Sequence, residues 1–340
     1  MSRRDVWPTW YRIGLAALLA AALAIRFTHI DFGLPELYHP DEGRKARVIE
    51  QVLAREPHTY LNHPGLLINS VVLLCAIWRR FVAALDSTSI ILAGRMLVAL
   101  VGSLTVLPTA ALARTLFGGA AGLFAGAAIA FSPLHTLHSR YLKEDVYLTF
   151  WVVVGLWALA RWLDQPPARR ATPESHRLVV AALGSAGLAM GSKYVGIVAV
   201  LFTVEVWRRA SGASWRRALA AVATASVLPV LVTPQLFTGL VQGRTGMYSL
   251  GWEMRHGMLG GYDRLTLYFF EWPDLGAYFL LHGLGWGMSW PIVLLSIVAI
   301  VVAWRHRRAD PALLVVAAAA VVWYAVAEAT PLKRGGDVER

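Results

Sequence analysis

The chain has 340 residues, 57% of them hydrophobic, with a mean hydropathy of +0.52. Only 16% are charged, where a soluble domain has about 25%, which excludes an ordinary soluble fold. The net charge of +11 does not make the chain a nucleic-acid binder, because no basic stripe lies on a soluble element, and the single Cys75 excludes a disulfide framework or a thiolate metal cluster.

Apolar runs recur along the chain at 13–25, 89–112, 118–137, 146–160, 178–191, 194–207, 218–236, 285–304 and 311–327. A spanning helix needs about 20 mostly apolar residues to cross a hydrocarbon core of roughly 30 Å. Backbone polar groups in lipid must be satisfied within a helix or a closed barrel. The runs lack the alternation of barrel strands, so the expected fold is an all-α polytopic membrane bundle, residues 1–340 forming one transmembrane domain. Arg3 and Arg4 followed by the run 13–25 resemble a signal peptide, but no small-residue cleavage site follows, so this run is taken as a retained first helix.

Three later connections are basic: one with Arg161, Arg169, Arg170 and Arg177, one with Arg208, Arg209, Arg216 and Arg217, and one with Arg305, Arg307 and Arg308. The positive-inside rule assigns them to the cytoplasm together with Arg3 and Arg4. Counting helices from both ends then agrees only if 64–78 does not cross. That segment carries Asn69 and Ser70, ends at Arg79-Arg80, and suits an interfacial or re-entrant helix. The map has about nine spanning helices, with most of the 21 carboxylates on the outer side. A face that gathers carboxylates and bases together looks like a site rather than an anchor.

In chain order, the first outer loop contains His39-Pro40-Asp41-Glu42, then an amphipathic stretch over 43–55, then Asn62-His63-Pro64. Asp41 follows a proline at the start of a predicted helix, where a first-turn acid is also explained by the helix dipole, worth about 0.3–1 kcal/mol. Arg95 lies inside an apolar run, and a charge at that depth normally faces a bundle interior or wet cavity. Ser139-Arg140-Tyr141-Leu142-Lys143-Glu144-Asp145 fills a very short outer loop that an ordinary interfacial turn would also explain. Lys193 sits at a hairpin tip, and Glu253, Arg255 and His256 lie in the long outer segment 237–274.

Tyr38-His39-Pro40-Asp41-Glu42 followed by Asn62-His63-Pro64 resembles the first-loop signature of polyprenyl-phosphate-sugar-dependent glycosyltransferases. These are the GT-C membrane enzymes, which include the dolichyl-phosphate-mannose protein mannosyltransferases and the lipid A aminoarabinose transferases. The likeness continues in order through the helix from Gly94-Arg95 to Gly102, Leu116-Phe117-Gly118, Ser132-Pro133, Ser139-Arg140, Asp145 and Gly191-Ser192-Lys193. Two departures stand out. Pro64-Gly65 replaces the usual proline pair, and the chain stops at Arg340, where relatives continue into further helices, so C-terminal helices and any soluble domain are expected to be missing.

The resemblance implies inverting transfer of a sugar from a polyprenyl phosphate to a lipid, glycan or protein acceptor, on the extracytoplasmic face of the cytoplasmic membrane. Asp41 and Glu42 are the expected catalytic pair, with Asp41 as base and Glu42 and Asp145 orienting acceptor or sugar. His63, Lys193 and Arg255 are expected to hold the phosphate, with His39, Asn62, Arg140, Glu253 and His256 as further substrate-binding groups. No cofactor beyond the lipid-linked sugar is expected, and a divalent metal is left open. The rivals are an oligosaccharyl transferase or polymerase using Asp41 and Glu42 as a metal-binding pair, and a lipid flippase or transporter, which would show inverted repeats and midplane charges.

Overall fold

A computed structural model describes residues 7–36, 39–56, 60, 63–81, 85–170, 172–233, 290–305 and 311–329. They divide into two compact units, one of Met1–His58 with His63–Thr233 and one of Thr59–Asn62 with Pro234–Arg340. In the second unit the described helices are α13 (Trp290–Arg305) and α14 (Pro311–Ala329), which pack on one another.

The first unit opens with α1 (Thr9–Phe27), which carries Tyr11, Leu15 and Ala22 on one buried stripe against Val106, Ala110 and Ala130. Arg26, in its last turn, is fully buried, and its guanidinium donates to the carbonyls of Ile129 and Ala130. Those carbonyls close α6 (Gly119–Ala130), where a cation meets both unpaired acceptors and the negative end of the helix dipole. The run expected as one helix over 118–137 is thus divided. Ser132 caps α7 (Pro133–His138), and Pro133 has no N–H with which to continue α6.

Between α1 and α6 come α2 (Pro40–Leu53), α3 (Leu66–Trp78), α4 (Ser87–Leu104) and α5 (Val106–Phe117). After α7 come α8 (Asp145–Leu163), the short α9 (Pro167–Arg170), α10 (Pro173–Ser192), a 3-10 turn Tyr194–Gly196, α11 (Ile197–Ser211) and α12 (Trp215–Val232). Among the described residues Thr9–Phe27, the nearly continuous Ser87–Phe117, Asp145–Leu163 and Trp215–Val232 are long and apolar enough to cross a membrane. The protein is a multi-pass α-helical membrane protein. The described residues do not fix the number of crossings at nine.

The segment 64–78 folds as the 13-residue α3, about 20 Å long at 1.5 Å per residue and too short to cross roughly 30 Å of hydrocarbon. Its flanks meet on one side: Arg79 donates to the Leu53 carbonyl at 3.5 Å, and the Ser87 hydroxyl donates to Glu50. Cysteines placed at the exposed Glu56 and Phe81, in a Cys75→Ala background, are therefore expected to label from the same face of a sealed vesicle. Labelling from opposite faces would overturn this arrangement.

Candidate active site

The site is built on the first turn of α2. His39 caps the helix, its Nδ1 accepting the Asp41 N–H at 3.2 Å, and Pro40 supplies a fixed φ at the first helical position. Successive helical residues point about 100° apart, so Asp41 and Glu42 part company at once. Asp41 is 46% exposed, while Glu42 is fully buried.

Glu42 is held by a forked pair with the fully buried Arg95 of α4: Nε donates to Oε1 at 2.8 Å and Nη2 to Oε2 at 2.6 Å. Arg95 Nη1 donates to the carbonyls of Ile30 and Phe32, and its guanidinium carbon stands 4.4 Å from the Phe32 ring centre. The Leu142 N–H donates to Glu42 Oε1 at 2.9 Å. One turn further along α2, Lys45 Nζ donates to the Leu142 carbonyl at 2.9 Å and to Glu144 Oε2 at 2.8 Å. Leu142 is therefore clamped through both its N–H and its C=O by two charged residues of one helix face. Glycine makes the matching approach possible: a methyl at Gly94 would stand 2.6 Å from a Leu142 side-chain carbon, and one at Gly102 would run into the Ser139 hydroxyl. The sequence motif around Arg95 is thus the bed on which 139–142 lies.

Beside this scaffold, Lys193 at the end of α10 donates to Asp145 Oδ1 at the start of α8 at 2.7 Å. Burial pulls the Lys193 ammonium down, but the Asp145 carboxylate, then Glu144 and Asp41, more than restore it, and its pKa is raised. Asp41 thus lies within electrostatic reach of Lys193. His63 Nε2 stands 3.9 Å from Glu144 Oε2. Its ring is held below the ordinary imidazole range, first by burial, against the opposing pull of Glu144, with Lys193 and Lys45 adding to the depression. Burial raises the Glu144 carboxyl, yet Lys45 and His63 outweigh it, so its pKa is lowered.

The structure brings His39, Asp41, Glu42, His63, Asp145 and Lys193 into this one region. His39 also rests on the Tyr141 ring, their centres 5.1 Å apart. Arg140, expected to bind substrate, donates through Nη2 to the carbonyls of Thr28 and His29 at 2.7 and 2.8 Å, and so fastens the first loop. Asn62, Glu253, Arg255 and His256 lie outside the described residues. Lys45 and Glu144 were not among the expected site residues. A lysine on a basic helix face and an acid in a short loop read as solvated, and only the spacing of three between Glu42 and Lys45 hinted at a shared face. Among the described residues no group of three or more His, Cys, Asp or Glu is placed to hold a metal ion. A cleft of about 1090 Å³ opens between the α5–α6 turn and the α8–α10 connection, lined by Arg114, Arg161 and Arg169 among others. It faces the opposite end of α8 from Asp145, and none of the residues clustered around Asp41 lines it.

Residues 73–236 match the family model described as dolichyl-phosphate-mannose-protein mannosyltransferase. No curated protein sequence matches the chain. ArnT from Cupriavidus metallidurans, solved bound to undecaprenyl phosphate, is 21% identical with a TM-score of 0.61, over 93% of this chain and 56% of that one. The Archaeoglobus fulgidus oligosaccharyltransferase, solved with zinc and sulfate, is 18% identical with a TM-score of 0.56, over 95% of this chain and 49% of that one. The chain spans 56% of the length of that ArnT and 49% of that oligosaccharyltransferase, less than two thirds of either. The fold of this chain is therefore similar to those of ArnT and the archaeal oligosaccharyltransferase.

Proposed function

We propose that the protein transfers a sugar from a polyprenyl phosphate donor to an acceptor hydroxyl or amine on the extracytoplasmic face of the cytoplasmic membrane. The observation that carries this reading is the division of labour within one dipeptide: Glu42 is buried and fully engaged, while its neighbour Asp41 is open to solvent on the same rigid turn. A phosphate linked to an anomeric carbon is already a good leaving group, so the chemistry needs one base and cations for the phosphate, not the two working carboxylates of a glycosidase. Asp41 takes the acceptor proton as the acceptor oxygen or nitrogen attacks the anomeric carbon. The bond from that carbon to the phosphate oxygen breaks, its electron pair stays on the phosphate, and attack from the opposite side inverts the anomeric centre.

Lys193 and His63 face the departing phosphate in this reading, with Asp145 orienting Lys193, and Arg255 joins them on the resemblance alone. Glu42 and Lys45 are positioning residues that fix the turn carrying Asp41. The oligosaccharyl-transferase rival that uses Asp41 and Glu42 as a metal-binding pair is less well served, because Arg95 and the Leu142 N–H already occupy the Glu42 carboxylate.

Titration of the purified full chain with undecaprenyl phosphate tests the phosphate assignment. A charge-assisted hydrogen bond contributes about 1.5–3 kcal/mol, so Lys193→Ala and His63→Ala are each expected to weaken binding about ten- to a hundredfold. Arg208→Ala, on the distant α11, is the control. Unchanged affinity in both site variants would remove these residues from the phosphate site.

A further inference from the structure

We infer that His63 is the group that takes up the proton of the reaction, entering it as a neutral imidazole and leaving it as an imidazolium paired with the phosphate product. The inference rests on the donor reading above and adds to it a charge balance. The donor is a phosphodiester with one negative charge. When the bond between sugar and phosphate breaks, the electron pair remains on the phosphate, and the product is a monoester with a second negative charge. The acceptor meanwhile loses one proton, first to Asp41. One proton and one new anionic charge therefore appear together in the site.

The fixed charges around His63 are already spent. The charged groups that face it are Glu144, Lys193, Lys45 and Asp145, and these form two ion pairs, Lys45 with Glu144 and Lys193 with Asp145. Their sum is zero, so these four described groups leave no surplus cation for the second charge of the product. A neutral imidazole offers one N–H, an imidazolium two. The second has a destination, because Glu144 Oε1 is buried with no hydrogen-bond partner while Oε2 is taken by Lys45. His63 Nε2 stands 3.9 Å from Glu144 Oε2 on the same carboxylate. A charged His63 would thus bridge the product phosphate and Glu144, satisfying an acceptor that is orphaned while the ring is neutral. The proton passes from Asp41 to His63 by way of solvent and returns to solvent when the product leaves.

The sign follows from the direction of the shift. Burial and the two lysines keep the free ring neutral near pH 7, and a dianionic phosphate beside it raises its proton affinity. Monoester binding therefore takes up a proton and strengthens as pH falls, until the free ring itself becomes charged. One linked proton changes affinity by at most about tenfold per pH unit.

Calorimetric titration of the full chain in two buffers of different ionisation enthalpy counts the protons, with undecaprenyl phosphate as the monoester probe and its methyl ester as the diester probe. Wild type is expected to take up close to one proton more with the monoester than His63→Asn does, and no such excess with the methyl ester. His63→Lys is expected to bind the monoester with wild-type-like strength and no excess proton, because its cation is permanent. Comparison among variants removes the titration of the phosphate itself, and matched melting temperatures exclude a folding defect. Equal proton counts in wild type and His63→Asn would overturn the role of His63 while leaving the donor reading intact. Failure of wild type to bind either ester would bring down both.

Discussion

An Asp41→Asn protein is expected to fold, to bind donor almost normally and to transfer sugar 10²–10⁴-fold more slowly, the loss typical of a missing general base. Asn preserves the shape of the side chain and most of its hydrogen bonding but cannot accept a proton. The competing explanation, a first-turn acid serving the helix dipole, predicts a loss of only about 0.3–1 kcal/mol in stability and none in rate. His39 already provides the cap of α2 through its own ring nitrogen, so Asp41 is not needed for it. Donor binding, single-turnover transfer and melting temperature, measured on the full chain, separate the two. Near-normal transfer by a well-folded Asp41→Asn protein would return Asp41 to a dipole role and make Asp145 the next candidate.

The second large effect is expected at the base of the same turn. Arg95→Met leaves the Glu42 carboxylate buried, with the Leu142 N–H as its remaining partner, and removing one member of a buried pair costs about 3–5 kcal/mol. It also frees the carbonyls of Ile30 and Phe32, so the first loop should loosen together with α2. Thermal unfolding in detergent should show a marked fall in melting temperature, and transfer should fall with it although Arg95 is fully buried. The double variant Glu42→Met with Arg95→Met removes both charges and should recover much of the stability but not the alignment of Asp41. An Arg95→Met protein as stable as wild type would show that the pair is not what holds α2.

The helical framework was legible because its signal is long-range and redundant. Each apolar run carries a helix, and the segment 64–78 folds as a helix of 13 residues. Arg95 announced itself by standing in an apolar run, where a cation must find a partner. Its partner did not announce itself, since Glu42 and Asp41 are chemically alike as letters and differ only in the direction each takes from the helix axis. Lys45 was hidden for the same reason, sitting among Arg44 and Arg47 on what reads as a wet face. Arg140 shows the opposite case. Its charge suggested a ligand, whereas backbone carbonyls of the first loop, which leave no trace in a sequence, take up its guanidinium. The break at Ser132-Pro133 was visible as a proline but was outweighed by the apolarity around it.

The grip of Glu42 and Lys45 on the peptide of Leu142 has a bearing on how this chain can change in sequence. The contact reads main chain rather than side chain, so it demands a backbone path at residue 142, while the buried Leu142 side chain is held separately against Gly94. The first loop and the turn over 139–145, about a hundred positions apart in the chain, are consequently one hereditary cassette. Recombination that exchanged the loop between relatives without its turn would deliver an aspartate mounted on the wrong bed. Sequence change is therefore more readily accommodated in surfaces that do not touch this clamp.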